Sequence, residues 1–247
     1  MNITPVESEH VRATLVESLR GAVIASCQAG PESPLNTPAI LASLALSAEL
    51  GGALGFRVDG PANVAAIRNV SPLPIFGINK VDRDGFEVRI TSTLADALDV
   101  VAAGANLIAL DGTGRERPFG ETLERIIAGL HEFGVPVMAD ISTRAEAYAA
   151  VEAGADMVGT TLAGYTPYTE HLDRFGPAFD LLEEIRDLPV PVIVEGRIWT
   201  TDHIAACFAG GAYALIIGSA ITVPELITRR FVTAARQAQA LWSEVSA

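Results

Sequence analysis

The sequence predicts a single (β/α)8 barrel, the TIM barrel of the α/β class, with a lead-in helix before the first strand. Three observations support this fold: short apolar segments recur eight times, each is followed by a helix-compatible segment, and part of the pattern repeats after fifty residues. Continuous apolar strands are typical of parallel sheets buried on both faces. Because 247 residues match the usual size of one such barrel, we expect one domain over residues 1–247.

The strands are recognised as short apolar segments that end at polar residues or glycine. Residues 7–20 form a polar, helix-compatible lead-in, which Gly21 ends before the first strand. The helices after the first two strands are predicted over residues 37–50 and 61–69. The eight strands are expected to start near Ala22, Ala53, Pro74, Leu107, Pro136, Met157, Pro191 and Ala214.

An internal repeat supports regular strand–helix units. Residues 92–106 and 142–156 share one pattern, in which Thr93 and Thr143 stand at N-cap positions and a glycine follows each predicted helix. A weaker third copy covers residues 201–213. An open doubly wound sheet is the alternative, but it usually has fewer strands and a Gly-x-Gly-x-x-Gly turn that the sequence lacks after its first strand.

The composition indicates a globular protein that does not bind polyanions. Hydrophobic residues make up 49% of the chain and the formal net charge is −13. Nucleic acids and anionic membranes require clustered cations, so we expect neither as a partner. No apolar run approaches the roughly 20 residues of a membrane span, and residues 1–7 lack a secretion signal. We predict a cytoplasmic protein with Cys27 and Cys207 reduced. The sequence leaves open whether the protein forms a homodimer.

Polar residues follow the predicted strands at the end of the barrel where active sites lie. Lys80 is the only lysine among 17 Lys and Arg residues. A desolvated lysine, unlike an arginine, loses its proton and then acts as a base or forms a Schiff base. A solvated loop lysine is the alternative, which the position at a strand end disfavours. The predicted ring consists of Gln28, Arg57, Lys80, Asp111, Asp140, Thr160 or Thr161, Glu195 and Gly218.

The histidines are expected away from this ring, in predicted helical segments. They are His10, His131, His171 and His203. A Ser-His-Asp triad or a histidine-based zinc site is therefore not expected. The three carboxylates of the ring are by themselves a weak case for Mg²⁺, so we predict no metal.

The loops after the last two strands are candidates for a phosphate site. Barrels commonly bind phosphate there through main-chain N–H groups next to glycine and the start of a short helix. Gly196 and Arg197 follow the seventh strand, and Gly218 and Ser219 follow the eighth. Arg197 could supply a local cation to the ligand. An ordinary helix start capped by Ser219 is the alternative interpretation.

Seven segments of the chain together resemble the N-acetylmannosamine-6-phosphate 2-epimerase family. The most specific is Gly154-Ala-Asp-Met-Val-Gly-Thr-Thr-Leu-Ala-Gly-Tyr-Thr166, and the resemblance extends over nearly the whole chain. It departs from the family after the lysine, where arginine and an acidic residue usually follow but Val81 precedes Asp82 and Arg83. The segments are residues 21–29, 77–80, 110–118, 138–143, 154–166, 195–198 and 218–222.

The resemblance implies a cofactor-free barrel enzyme of sialic acid breakdown that interconverts N-acetylmannosamine 6-phosphate and N-acetylglucosamine 6-phosphate. It implies that Lys80 is the acid/base and Glu195 its partner. It further implies that Gln28, Arg57 and Asp140 hold the substrate.

Two other functions remain compatible with the ring of polar residues. One is a phosphate-binding lyase or synthase that forms a Schiff base through Lys80. The other is a sugar-phosphate sensor that binds its ligand without turnover. Neither accounts for the breadth of the family resemblance.

Overall fold

The eight predicted strands form a closed parallel barrel in the computed structural model, which describes residues 5–172 and 175–245. The strands are β1 Val23–Cys27, β2 Gly55–Asp59, β3 Ile75–Ile78, β4 Leu107–Asp111, β5 Val137–Asp140, β6 Met157–Gly159, β7 Val192–Glu195 and β8 Ala214–Ile217. Each pairs with the next, and β8 pairs with β1. The barrel prediction is confirmed, and the predicted strand starts are correct to within two residues.

A helix precedes β1 and helices follow the strands. They are α1 Pro5–Ser18, α2 Pro38–Leu50, α3 Pro61–Arg68, α4 Leu94–Ala102, α5 Leu123–His131, α6 Arg144–Glu152, α7 Phe179–Ile185, α8 Thr201–Ala209 and α9 Pro224–Val245. The lead-in helix is thus confirmed as α1. Among the described residues, none of the helices has the length and apolar character needed to cross a membrane.

Alternate residues of each strand face the barrel axis or the surrounding helices. On β4, Leu107 and Ala109 join the interior cluster, whereas Ile108 and Leu110 pack in the layer between strands and helices. The interior is filled by apolar side chains, so a ligand can reach only its ends. Other members of the interior cluster are Ile24, Phe76, Met138, Met157, Ile193 and Ile216.

The repeated segments form the same capped helix. Thr93 and Thr143 are the N-caps of α4 and α6, each in a reciprocal capping box with the residue three positions on. Gly104 and Gly154 follow the helix ends with φ angles of 110° and 99°, a conformation that favours glycine. In the third copy the N-cap is Thr200, one residue before the predicted start.

The lead-in helix α1 closes the amino-terminal end of the barrel. Arg12 forms an ion pair of 3.1 Å with Asp156, which stands just before β6. Ser8 donates a hydrogen bond of 2.6 Å to the carbonyl of His131. Leu19 is fully buried in the interior cluster. With this end closed, the opposite end is the one open to a ligand.

Candidate active site

Strand alternation directs the predicted site residues toward the barrel axis. Arg57 lies between two β2 residues that pack toward the helices, so its own side chain points inward. Lys80, Asp140 and Glu195 each lie two residues after an inward-facing apolar residue of the same segment. The structure therefore brings these four residues to one end of the barrel, as predicted.

Arg57 is the centre of a buried ion-pair network. Its guanidinium, 1% exposed, donates to both carboxylate oxygens of Asp140, with Nη1–Oδ1 and Nη2–Oδ2 distances of 3.0 and 2.6 Å. Nη1 also donates to Glu195 Oε2 at 2.7 Å. Burial alone would lower the pKa of Arg57, but Asp140 and Glu195 outweigh burial and raise that pKa. Arg57 is therefore a permanent cation that fixes two carboxylates in place.

The turn after β6, residues 160–162, completes this network. Thr161 Oγ1 lies 2.6 Å from Asp140 Oδ1 and 3.2 Å from Glu195 Oε2. Thr160 instead bonds through its hydroxyl to the main-chain N–H and C=O of Glu195, at 3.2 Å each. The sequence left open which threonine joins the ring, and the structure places Thr161 on the carboxylates and Thr160 on the backbone.

The environment of Glu195 keeps its proton affinity high. Its side chain is 14% exposed, and burial raises the pKa of Glu195 to about 7. Arg57 opposes this effect, whereas Asp140 adds to it. Burial is the largest cause, because a poorly solvated site disfavours the charged carboxylate, and the nearby charge of Asp140 acts in the same direction. The raised pKa makes Glu195 a more ready proton carrier than an ordinary glutamate, which suits a group that gives and takes a proton.

Lys80 lies beside this network, with its amine between an amide and a carboxylate. Nζ donates to Gln28 Oε1 at 2.5 Å, and Gln28 in turn donates to Ser26 Oγ at 2.8 Å. On its other side, Asp59 Oδ2 lies 3.9 Å from Nζ. The Lys80 side chain is 31% exposed, so the amine is partly desolvated but open to a ligand.

Desolvation lowers the pKa of Lys80 from its ordinary value. Asp59 and Glu195 oppose this shift, and Arg57 and Arg89 add to it. The net direction favours the neutral amine, which is the form that can act as a base.

The segment after Lys80 folds into a short β-hairpin, which contains the departure from the family pattern. Lys80 and Ile90 form an antiparallel bridge, and Val81 donates its N–H to the carbonyl of Arg89 at 3.0 Å. Arg83 anchors the hairpin with a fork of hydrogen bonds, 2.9 and 2.8 Å long, to Asp96 at the start of α4. Val81 is accommodated within the hairpin.

The loops after β7 and β8 border a small cavity of about 120 Å³. Its walls include Gly196, Arg197, Gly218 and Ser219, the residues predicted to bind phosphate, together with Ser26. A Cβ atom at Gly218 would lie 3.1 Å from Ser26 Cβ, so glycine keeps this wall open. The short helix expected after β8 is a single turn over residues 219–222, closed by two hydrogen bonds to the Gly218 carbonyl.

The guanidinium of Arg197 binds the loop between β6 and α7. Nε donates to the carbonyl of Gly176 at 2.6 Å, and Nη1 donates to that of Ala163 at 2.9 Å. The guanidinium carbon also lies 5.4 Å from the ring centroid of Tyr165. Arg197 therefore links the cavity to this loop, a contact that the sequence did not indicate.

One residue of the ring and one histidine differ from expectation. Asp111 turns toward its own loop, where it accepts hydrogen bonds of 2.6 Å from Thr113 Oγ1 and Arg115 Nη2. The placement of His171 in a helix is wrong, because it lies in a turn of the loop between β6 and α7. Gly164, with a φ angle of 83°, and Pro167 stand shortly before His171, and both residue types disfavour a continuous helix. The other three histidines lie in helices as predicted.

Sequence reasoning missed Asp59 and Ser26, which contact Lys80 and Gln28. The strand pattern indicates both: Asp59 lies two residues after Arg57 on β2, and Ser26 lies two residues before Gln28, which directly follows β1, so each shares the inward face of its neighbour. No group of three or more His, Cys, Asp or Glu side chains suited to a metal ion occurs in residues 5–172 and 175–245.

Comparison with known proteins identifies relatives over most of the chain. The NanE family model, described as "Putative N-acetylmannosamine-6-phosphate epimerase", matches residues 41–237. Proteins described as 2-epimerases of the same substrate are similar: one from Clostridioides difficile is 42% identical and one from Thermosynechococcus vestitus 43%. The alignments cover 89% of this chain in both cases, and 98% and 96% of those proteins.

Solved structures agree with these sequence comparisons. The N-acetylmannosamine-6-phosphate 2-epimerase from Clostridium perfringens superposes with a TM-score of 0.86 at 38% identity, covering 89% of this chain and 96% of that one. A thiamine phosphate pyrophosphorylase from Pyrococcus furiosus, 16% identical with a TM-score of 0.56, shares the fold alone. On the family match and these identities, the chain belongs to the NanE family of N-acetylmannosamine-6-phosphate epimerases.

Proposed function

We propose that the chain interconverts N-acetylmannosamine 6-phosphate and N-acetylglucosamine 6-phosphate, a reaction of amino-sugar metabolism and sialic acid breakdown. The observation that carries this proposal is a partly desolvated lysine at the barrel mouth, beside the buried network of Arg57, Asp140 and Glu195. Family membership supports the substrate. The cavity beside Glu195 offers a place for the phosphate.

The reaction requires removal of the hydrogen on C2, next to the C1 aldehyde of the open-chain sugar. Neutral Lys80 takes this proton, the C–H electron pair moves toward the C1 oxygen, and the resulting enolate regains a proton on the opposite face. For an ordinary lysine, being neutral at pH 7 costs about 4–5 kcal/mol, at roughly 1.4 kcal/mol per pH unit. Desolvation of Lys80 reduces this cost because it lowers the pKa.

The other residues are assigned by where they lie relative to this amine. Glu195 is the proton-transfer partner, since burial raises its pKa and it projects into the same barrel mouth as Lys80. Arg57 holds Glu195 and Asp140 in one geometry, and the cavity walls lie beside them. The assigned substrate-binding residues are Gln28, Arg57, Asp140 and Arg197, and the assigned phosphate-binding residues are Gly196, Arg197, Gly218 and Ser219.

Deuterium incorporation tests this mechanism. Product formed in D2O is expected to carry deuterium at C2 and at no other carbon, and the Lys80→Arg variant is expected to show no exchange. Substrate deuterated at C2 should react with a primary isotope effect. A route through carbon–carbon cleavage would leave the C2 hydrogen in place, and a sensor would bind the sugar phosphate without turnover. The proposal would be contradicted if the product retained its C2 hydrogen and the C2-deuterated substrate reacted at the same rate as the unlabelled one.

We also propose that the chain forms a homodimer through α9. The side chains of residues 228–240 are exposed, and among the large apolar ones Phe231 is 71% exposed and Trp242, further along, 73%. An apolar cavity of about 460 Å³ lies between α2 and the loop before α9, and Leu44, Ala48 and Ile221 are among its lining residues. Exposed apolar helix faces of this kind are typical of association surfaces. A second copy of α9 supplies complementary chemistry for this cavity.

The dimer is tested by light scattering on size-exclusion chromatography. Phe231→Glu should halve the measured mass, because it places a charge on the apolar face. Ala240→Glu is the matched control: nine residues further on, at about 100° per residue, it lies on the opposite face and should leave the mass unchanged. Equal masses for wild type and the Phe231 variant would refute the interface.

For location, we propose the cytoplasm, which suits the buried free thiols of Cys27 and Cys207.

A further inference from the structure

One carboxylate contacts both ends of Lys80. Asp59 Oδ1 accepts a hydrogen bond of 2.9 Å from the main-chain N–H of Lys80. Its second oxygen, Oδ2, lies 3.9 Å from the amine nitrogen of the same residue. The two side chains are similarly placed with respect to solvent, 30% and 31% exposed. Asp59 thus holds the main chain of Lys80 in place and attracts its side-chain amine.

The position of Asp59 is itself well determined. It is the last residue of β2, paired in register with Ile78 of β3, two residues before Lys80. Its carbonyl accepts a hydrogen bond of 2.7 Å from the Asn63 side chain of α3, and the next residue, Gly60, donates to Ile78 at 2.9 Å. A carboxylate on a rigid strand end can orient its partner better than one on a loop.

The other charges that face the amine come from three elements. Arg57 of β2 and Glu195 of β7 already compensate one another in the buried network, and Arg89 of the hairpin is paired with Asp82 at 3.0 Å. Gln28, the hydrogen-bond partner of the amine, is neutral. Asp59 therefore supplies the negative charge nearest to Lys80 that is not bound to an arginine in the described part of the chain.

We propose that Asp59 is a positioning residue for Lys80: it aims the amine and stabilises the ammonium that forms when the amine takes a proton. This inference deepens the proposed role of Lys80 as the base. Without Asp59, desolvation acts on the amine with less opposition, and Lys80 becomes a weaker base. With it, the amine keeps enough proton affinity to remove a hydrogen from carbon.

A merely structural role, in which Asp59 only satisfies the Lys80 N–H group, makes a different prediction. Asp59→Asn keeps an oxygen acceptor for that N–H but removes the charge. If the role is structural, the proton affinity of Lys80 stays unchanged. If our inference is correct, the pKa of Lys80 falls by about one unit, the lower end of the usual effect of an opposite charge at this distance, because both groups are partly exposed.

The single lysine of the chain allows this shift to be measured directly. Protein labelled with ¹³C at lysine Cε gives one side-chain NMR signal, whose chemical shift reports the titration of Lys80. We expect the midpoint of Asp59→Asn to lie about one pH unit below that of the wild type. Asp84→Asn is the matched control: it removes an exposed carboxylate on the same hairpin, leaves the Arg89–Asp82 pair intact and should leave the midpoint in place.

An unchanged midpoint in Asp59→Asn, or an equal shift in Asp84→Asn, would overturn the inference. If circular dichroism shows that Asp59→Asn does not fold, Asp59→Ser removes the same charge and is judged by the same criterion, while Asp59→Glu should restore the wild-type midpoint. The titration observes the amine itself. Its result therefore stands apart from the deuterium experiment, which tests the reaction.

Discussion

Replacing Glu195 by glutamine is expected to stabilise the protein above neutral pH while it slows the reaction. Glu195 is 14% exposed and shares Arg57 with Asp140. Glutamine nearly preserves the shape of the side chain and keeps an oxygen that can accept from Arg57 Nη1. It resembles the protonated acid, so it avoids a second buried negative charge.

The size and sign of this effect follow from the pKa of Glu195. Burial raises that pKa from 4.5 to about 7. The folded state then holds the proton more tightly than the unfolded state, so the free energy of unfolding decreases as pH rises through this range. The contribution is fully present below pH 4.5 and is lost above about pH 7. A shift of roughly 2.5 units corresponds to about 3 kcal/mol, which sets the upper limit for the gain in Glu195→Gln at pH 8.

Urea denaturation at pH 8 and pH 4.5 measures this difference. Glu195→Gln should be more stable than the wild type at pH 8 by up to about 3 kcal/mol and nearly equal to it at pH 4.5. Its kcat at pH 8 should fall at least about 100-fold, as expected for loss of a proton-transfer group. Glu183→Gln, an exposed substitution on α7, is the control and should change neither quantity. A stability difference that is the same at both pH values would refute the argument.

Three further substitutions test other parts of the site. Lys80→Arg keeps the charge but cannot supply a neutral amine, so kcat in a coupled epimerase assay should fall at least about 100-fold while the melting temperature is retained. A variant that keeps more than about a tenth of the wild-type kcat would rule out Lys80 as the base. Asp140→Ala leaves the buried Arg57 without its bidentate partner and should lower the free energy of unfolding, measured in urea, by about 3–5 kcal/mol. A loss below about 1 kcal/mol would show that the Arg57–Asp140 pair is not needed for stability. Gly218→Val should raise KM for the sugar phosphate at least about tenfold, because its Cβ would lie 3.1 Å from Ser26 Cβ. Gly30→Val is the control: no atom lies within 4 Å of an added Cβ there, so KM should stay unchanged. Equal KM values for the two variants would contradict the placement of the phosphate.

The amino-acid sequence by itself determined the barrel and the direction of its site residues. Apolar segments, caps and glycine stops are local patterns, and they predicted all eight strands. The end of each strand is also read from the local pattern, and it predicted that Arg57, Asp140 and Glu195 meet at one end of the barrel. The period of two along a strand, which is local too, adds Asp59, two residues beyond Arg57.

Only the tertiary structure decided which of these side chains touch. The strands of a barrel are staggered and tilted, so contacts across its mouth depend on closure of the whole sheet. For this reason the sequence did not reveal that Arg57 binds both Asp140 and Glu195, or that Asp111 turns away to its own loop. The balance of desolvation and nearby charges at Lys80 likewise depends on distances between residues that are far apart in the chain.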